Sequence, residues 1–319
     1  MTGVRLAEWS PLACLGPNHH DELDAHVAAE RDRLREAPDG WAEYDSVGIA
    51  SEHRRWDSTY FGCPMVRIKS IEPGDAPADA IATAADAWFT RALGTADTGY
   101  AWCEVPVAAT SIVQGLCAAG FRLVETRTTW VWTVGPVGHA TETDPVRAAG
   151  ASDIEAVRSV AATARNPWDR YHADPFYSGE VADAYLATYA QACVETMADV
   201  VLVPDPGDGR PAGAFMALAI ERPPACPIGG KHACSLPRSI GRVPLVSVGP
   251  DRRGWHARLT SATMRRLAAE HVDVAVMTTQ LANRAVTVNV ERLGWRLGHA
   301  THVFARSRGG LVPGPKEGR

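Results

Sequence analysis

The alternation of apolar and polar positions is clearest in the last third of the chain, where it predicts two helices among three strands. An apolar run at 245–248 is followed by a turn rich in glycine and arginine at 249–254. From Leu259 to Glu270 apolar residues recur every three or four positions, which indicates a helix. The later elements are a strand at 272–278, a helix over Asn283–Leu293 closed by Gly294, and a strand over Trp295–Ala305. A helix N-terminus therefore follows a strand directly, an arrangement that binds phosphate.

The same pattern of helix, Gly-aromatic pair and strand occurs earlier in the chain. Gly120-Phe121 is followed by Arg122-Leu123, as Gly294-Trp295 is followed by Arg296-Leu297. Any unit of helix, glycine and strand resembles this, but the shared tetrad and the similar strand lengths favour a structural repeat. The repeat predicts a helix at 108–119, a strand at 122–134, and a sheet that continues through both halves.

The length of 319 residues exceeds that of one common domain, so two domains are expected. We predict an N-terminal domain at 1–140, a linker around 135–141, a second domain at 145–308 and a disordered tail at 309–319. The first domain has no comparable phosphate-binding turn, which gives it a structural or substrate-shaping role.

The second domain contains further predicted elements. Ser152 or Asp153 caps a helix that ends near Ala164, and another helix covers 181–195. Residues 199–203 and 213–221 form a hairpin. The segment 223–242 is rich in proline and glycine and has no periodicity, so it is expected to be a surface excursion or a lid.

Two motifs resemble signatures of the GCN5-related N-acetyltransferases (GNATs). Residues 248–259 read VGPDRRGWHARL and resemble the family's pyrophosphate loop, while 283–286 and 291–295 resemble its closing N-x-x-A and E-x-L-G-aromatic signatures. The resemblance implies an α/β GNAT fold, with a mixed, mostly antiparallel central sheet flanked by helices. It also implies that the N-terminal domain is a partial, degenerate GNAT-like domain. The implied cofactor is acetyl-CoA or another acyl-CoA.

The resemblance also implies cofactor-binding residues. Backbone N–H groups from about 253 to 258 would hold the pyrophosphate. The arginines would add charge-assisted bonds, unless they merely solvate the turn. The usual glycines are replaced by His256 and Arg258, which must keep negative φ to preserve the cradle. Asn283 either bonds the pantetheine or caps its own helix. The full set is Val248, Arg253, Gly254, Trp255, His256, Ala257, Arg258 and Asn283.

Three residues are candidates for the chemistry of acyl transfer. The backbone N–H of Val248 is expected to donate to the thioester carbonyl where two strands splay apart. The family's acidic tyrosine falls on Val290, which cannot donate a proton. His172 could transfer the proton, or it could simply hydrogen-bond the turn made by Asp174-Pro175. Glu221 could act as a base through water.

Two short segments resemble a subgroup of the family, the sugar-nucleotide N-acetyltransferases related to TDP-fucosamine acetyltransferase. They are WDSTYFG at 56–62, with Arg67-Ile68 after it, and RYHADPF at 170–176. This resemblance implies transfer to the amine of a nucleotide-linked amino sugar or a similar small polar acceptor. The alternatives are another acyl-CoA or an aminoacyl-tRNA donor in specialised, natural-product metabolism, or a CoA-binding module without turnover.

Composition narrows the remaining classes. The net charge of −5 and the absence of a basic run argue against general nucleic-acid binding. No long uncharged apolar stretch indicates a membrane helix. Seven scattered cysteines indicate reduced thiols and a cytoplasmic protein. Cys226, His232 and Cys234 do not form a recognised zinc pattern, so no metal site is expected. A monomer built as a pseudo-dimer, or a homodimer, is compatible with the repeat.

Overall fold

A computed structural model describes residues 6–10, 12–16, 20–135, 145–205, 207, 209–222 and 239–309. Its strands form one mixed sheet in the order β1-β2-β3-β4-β12-β5-β11-β9-β8-β7-β6, with β10 paired to β8. Only the β3–β4 and β9–β11 pairs of these described strands are parallel. The strands are β1 (Trp41–Tyr44), β2 (Val47–His53), β3 (Met65–Glu72), β4 (Gly99–Pro106), β5 (Arg122–Thr133), β6 (Val146–Ala148), β7 (Val200–Pro204), β8 (Ala214–Glu221), β9 (Ile240–Val243), β10 (Val246–Val248), β11 (Val274–Gln280) and β12 (Arg296–Arg308).

Helices cover both faces of this sheet. They are α1 (His20–Glu36), α2 (Arg55–Phe61), α3 (Ala78–Leu93), α4 (Thr110–Ala118), α5 (Ile154–Thr163), α6 (Arg170–Ala173), α7 (Gly179–Ala192), α8 (Trp255–Ala269) and α9 (Arg284–Arg292). A π-helical turn at Cys193–Met197 extends α7. The expected α/β class, with a mostly antiparallel sheet between helices, is confirmed.

The two faces carry different cores. On the front face, defined here by Trp102, Glu104, Arg127, Thr129 and Val303, aromatic residues of the sheet pack against α2, α6 and α7. On the back face, α3 and α4 cover the N-terminal strands, while α8 and α9 cover the C-terminal strands. Successive residues of a strand point to opposite faces, so β5 and β12 contribute to both cores.

The two halves of the chain exchange their last strands. β12 lies between β4 and β5, and β5 lies between β12 and β11. Each half therefore supplies a strand that completes the sheet of the other. The boundaries 1–140 and 145–308 stay a prediction, but the shared strands join the halves into one continuous sheet.

An internal repeat accounts for this exchange. Thr110 and Arg284 begin α4 and α9, and Ala118 and Arg292 end them, so corresponding residues are 174 positions apart. The pairing of β5 with β12 follows the same spacing. Arg122 pairs with Ala305 and Val131 pairs with Arg296, and the repeat makes Arg122 equivalent to Arg296 and Val131 equivalent to Ala305. The helix expected at 108–119 and the strand expected at 122–134 are confirmed within two residues at each end.

Several predicted boundaries need correction. The segment 223–242, predicted to be a loop, ends in β9, because Ile240–Val243 pair in parallel with β11. Helix α8 begins at Trp255, four residues before the predicted start, because Gly254 adopts a left-handed conformation that starts the helix at once. All but the first residue of the predicted linker at 135–141 and of the predicted tail at 309–319, and most of the predicted loop, lie outside the described residues. Across the described helices, none is both long and apolar enough to span a bilayer.

Candidate functional site

A bulge opens the sheet between β10 and β11. Arg242 pairs with Ala219 of β8, whereas Val246 pairs with Met216. The chain from β9 to β10 therefore advances by four residues while β8 advances by three. The extra residue lies next to Pro244, which has no backbone N–H to offer a neighbouring strand. The parallel ladder between β9 and β11 ends at Val243 and Met277. Beyond that point β10 follows β8 while β11 continues along β5, so the two strands separate as the sequence predicted.

The backbone N–H of Val248 points into this opening. Gly249 donates to Gly213 at 2.9 Å and Ala217 donates to Leu245 at 2.8 Å, which identifies hydrogen-bonded pairs on either side of Val248. Pairs alternate along an antiparallel ladder, so Val248 and its partner Ala214 form a non-hydrogen-bonded pair. The N–H of Val248 is therefore directed away from β8, toward β11. Its predicted role as a donor to a carbonyl oxygen is compatible with this direction.

A tight turn connects β10 to α8. Pro250–Arg252 form one 3-10 turn, and Gly254 follows with φ of 87°. The positive φ favours glycine here, whereas the available space does not require it. Apart from its chain neighbours and the backbone of its own helix, no atom of the described residues lies within 4 Å of the place that a Cβ would take. The first N–H groups of a helix have no partners within the helix, so those at the start of α8 can donate hydrogen bonds to an anion. Arg253 and Arg258 are exposed beside them, and Arg258 lies 5.0 Å from the ring centroid of Trp255.

His256 and Arg258, which replace the usual glycines, keep negative φ, so the backbone condition for the cradle is met. The His256 side chain, however, is buried beneath α8. Neither of its ring nitrogens has a hydrogen-bond partner among the described residues. Burial lowers the pKa of His256 to about 4, so its ring is neutral near pH 7. His256 can therefore serve an anion through its backbone N–H, while its side chain packs in the interior.

At Asn283 the contacts favour the second of the two predicted roles. Its Oδ1 accepts a hydrogen bond from the N–H of Val286 at 3.4 Å, which caps α9. Val290, on the same helix α9, is fully buried in the back-face core with Leu259, Met264 and Trp295. The position of the family's tyrosine therefore faces apolar packing in this chain.

A cavity of about 390 Å³ lies at the front of the opening. It includes Glu221, the predicted base, whose carboxylate accepts a hydrogen bond from Nε of Arg242. Burial raises the pKa of the Tyr189 hydroxyl to about 12, which makes it a weaker acid than a thiol. The lining residues are Tyr189, Met197, Ala219, Glu221, Arg242, Val243, Pro244, Val276 and Thr278.

His172, the predicted proton carrier, is held between two carboxylates. Its Nδ1 lies 2.8 Å from Asp169 and its Nε2 lies 3.1 Å from Asp183. The hydrogen bond with Asp169 is the main cause that raises the pKa of His172. Because both ring nitrogens have carboxylate partners, these contacts favour a structural role for His172. The partners are Asp169 and Asp183, not the turn that the sequence indicated. Catalysis by His172 stays a prediction that its surroundings do not favour.

The two segments of the sugar-nucleotide resemblance meet on the front face. The hydroxyl of Tyr185 donates to Asp57 at 2.8 Å, and the hydroxyl of Tyr171 donates to that of Tyr185 at 3.0 Å. Arg170 lies beside them, 5% exposed, with its guanidinium 4.0 Å from the Trp102 ring centroid. Sequence reasoning did not single out Arg170 or Tyr189. The signal that could have found Arg170 is a basic residue inside an aromatic segment.

Comparisons with known proteins identify the fold. Neither a protein-family model nor a curated protein sequence matches the chain. A GCN5-related N-acetyltransferase from Sphaerobacter thermophilus matches with a TM-score of 0.57 and 11% identity, over 98% of this chain and 96% of that chain. One from Kribbella flavida matches with a TM-score of 0.51 and 16% identity, over 92% and 96%.

A third match is a glucosamine N-acetyltransferase region of a fungal multi-domain GH3 beta-N-acetylglucosaminidase. Its TM-score is 0.52 at 12% identity, over 82% of this chain and 31% of that chain. At such low identity these likenesses bear on the fold alone. With the splayed strands, the bulge and the turn before α8, they show that this chain has the fold of the GCN5-related N-acetyltransferases.

Proposed function

We propose that this chain is an acyl-CoA-dependent N-acyltransferase, with acetyl-CoA as donor, that acts on the amine of a small polar acceptor. The observation that carries the proposal is the direction of the Val248 N–H into the opening between β10 and β11. A bound acyl-CoA would supply a thioester carbonyl at that opening and a pyrophosphate at the start of α8. The backbone N–H groups at the start of α8 and the exposed Arg253 and Arg258 suit the pyrophosphate.

In this proposal the chain works mainly by positioning and by polarising the carbonyl. The Val248 N–H stabilises negative charge on the carbonyl oxygen in the transition state. The cavity holds the amine near it, and Glu221 assists its deprotonation through water. Tyr189 is a poor proton donor to a thiolate, because its pKa is about 12. We therefore assign the thiolate's proton to the acceptor's nitrogen, which carries an extra proton once the neutral amine has attacked the carbonyl and loses it as the thiolate leaves.

For the acceptor we keep an amino sugar, including a nucleotide-linked one, as the proposed class. Two observations support this class. The 56–62 and 170–176 segments lie close together, because the Tyr185 hydroxyl is hydrogen-bonded to both Asp57 and Tyr171. One of the similar structures is a glucosamine N-acetyltransferase region. The cytoplasmic location and the link to specialised metabolism stay predictions.

One observation favours a competing function, a CoA-binding module without turnover: Val290 has no hydroxyl and is buried. Release of free thiol from acetyl-CoA, measured with and without candidate amines, separates the two. Amine-dependent release with wild-type protein, reduced in Glu221→Gln, is expected for the enzyme. CoA binding without thiol release in the presence of a broad amine panel would support the binding module and contradict the proposed function.

A further inference from the structure

Several buried polar atoms without partners lie on the front face of the sheet. Among the described residues, Nε and Nη1 of Arg170, Nε of Arg67 and Nε2 of His299 are buried and accept or donate no hydrogen bond. Such atoms are rare in folded proteins, because a buried polar atom that is left unpaired destabilises the fold. Other such atoms lie elsewhere, including both ring nitrogens of His256, but those of Arg170, Arg67 and His299 share one face, where a single ligand can pair with them.

The register of the sheet places His299 in a polar strip on this face. Thr278, Thr129 and His299 lie side by side on β11, β5 and β12, and the hydroxyls of Thr278 and Thr129 are 3.2 Å apart. Two residues along, on the same face, Gln280 pairs with Arg127. Thr278 also lines the cavity, so the strip begins where the proposed transfer takes place.

The far end of the strip has an excess of positive charge. Arg127 donates to Glu104 at 3.0 Å and also to Glu125, and Arg67 donates to Glu104 at 3.2 Å. Burial opposes ionisation of Glu104, but Arg127, Arg67 and Arg170 together lower its pKa to about 2. Three guanidinium groups thus surround two carboxylates, which leaves one positive charge without a counterion in this cluster of described residues.

Arg170 is the group best placed to bind an anion. Its side chain is 5% exposed and enclosed by aromatic rings, with Trp102 at 4.0 Å and Tyr171 at 4.6 Å. Only its Nη2 has a hydrogen-bond partner, the Tyr171 hydroxyl, at 2.7 Å among the described residues. A guanidinium with two unpaired N–H-bearing nitrogens in dry surroundings matches a carboxylate or a phosphate.

We propose that Arg170, with Arg127 and Arg67, binds an anionic group of the acceptor, a carboxylate or a phosphate, while the acceptor's amine lies in the cavity beside Thr278. This inference rests on the proposed function, because it concerns the acceptor of the same site. Arg127 lies on β5, next to β11, whereas Arg170 covers Trp102 of β4, three inter-strand spacings or roughly 14 Å from β11. The proposed anion and amine are therefore on the order of 5–14 Å apart.

Calorimetry on the full chain with CoA present tests the inference without requiring turnover. The probes are matched pairs, 6-aminohexanoate with 6-aminohexanamide for a carboxylate, and glucosamine 6-phosphate with glucosamine for a phosphate. One anionic probe should bind about ten- to a hundredfold more tightly than its neutral partner, the range expected for charge-assisted hydrogen bonds. The pair that shows the preference identifies the anion. Equal affinities in both pairs would overturn the inference.

Variants attribute the preference to Arg170. Arg170→Met should abolish it, whereas Arg306→Met should keep it, because Arg306 stacks on Phe89 at 4.3 Å on the back face. If Arg170→Met does not fold, Arg67→Met, with a side chain 30% exposed, should reduce the preference instead. A preference retained in the folded Arg170→Met or in Arg67→Met would contradict the assignment. If the wild-type protein preferred the anionic probe but transferred no acetyl group, only the proposed function would be contradicted.

Discussion

Arg127 and Thr301 are directly opposite each other in the ladder between β5 and β12, and they are also equivalent positions of the internal repeat. Their separation is the 174 residues that relate α4 to α9. The pair therefore lies at the centre of a pseudo-twofold relation between the halves. A single chain thus builds the kind of interface that a symmetric dimer forms between two identical surfaces.

The strand exchange predicts that neither half folds well by itself. A fragment of residues 1–140 lacks β12 between β4 and β5, and a fragment of 145–319 lacks β5 between β11 and β12. Each would expose unpaired strand edges and part of its core. Co-expression of the two fragments should restore a soluble complex with CoA-induced stabilisation, measured by thermal shift. A monomeric 145–319 fragment with the full stabilisation would show that the exchange is dispensable.

The turn before α8 gives a prediction on cofactor binding. Gly254→Asp puts a carboxylate where the pyrophosphate is expected, so CoA should no longer raise the melting temperature. Gly294→Asp is the matched control, because Gly294 has φ of 84° against 87° for Gly254 and both have open space around them within the described structure. The two variants share the backbone strain and the added charge. A CoA-induced shift that survives in Gly254→Asp would remove this turn from the proposed site.

The sequence predicted those features that local signals determine. The tetrads at Gly120 and Gly294 indicated the repeat, and the glycine- and arginine-rich turn indicated a helix start. The opening beside Val248 was predicted from family resemblance, whereas its cause, a one-residue bulge near Pro244, appears only in the pairing of β8 with β9 and β10. Single-strand patterns do not reveal such a register shift.

Long-range partners could not be predicted in the same way. β5 and β12 have similar patterns, so the sequence does not tell which strand lies between which neighbours. His172 was interpreted from its own segment, yet one of its carboxylate partners, Asp183, comes from α7. The surroundings of the Arg170 nitrogens depend on β4 and α7 packing against α6. Tertiary contacts of this kind decide whether a titratable residue is structural or functional.

His172 should contribute to stability in a pH-dependent way. Its pKa is raised in the folded state, so the contribution is full below the unfolded value of about 6.5 and is lost as the pH rises through the folded pKa. His172→Asn should therefore lower the melting temperature most at about pH 6 and least at about pH 9. Its kcat should stay within about tenfold of wild type. A loss of a hundredfold or more in kcat, with unchanged stability, would establish the catalytic role instead.

His256 should show the opposite pH dependence. Burial lowers its folded pKa to about 4, so only the unfolded chain gains a proton between about pH 6.5 and pH 4. Stability is therefore lost as the pH falls through that window, by on the order of 3 kcal/mol in total. His256→Met should flatten this part of the stability curve, measured by urea unfolding, while His53→Met at an exposed position should not. Equal slopes for wild type and His256→Met would refute the buried neutral state.

Val290→Tyr tests whether the family's tyrosine could be restored. Val290 is 0% exposed and packs with Leu259, Met264 and Trp295 on the back face, so a larger ring must displace neighbours. Overpacking costs about 1–3 kcal/mol, and a buried hydroxyl without a partner adds a similar amount.

We therefore expect Val290→Tyr to melt at least several degrees lower, and to show no faster thiol release from acetyl-CoA. Val290→Thr is the matched control, because it adds a hydroxyl with little change in volume and so separates polarity from size. If Val290→Tyr were as stable as wild type and released thiol faster, the phenol would have reached the opening beside Val248. The thiolate would then have a side-chain acid in this fold, and the assignment of its proton to the acceptor's nitrogen would be wrong.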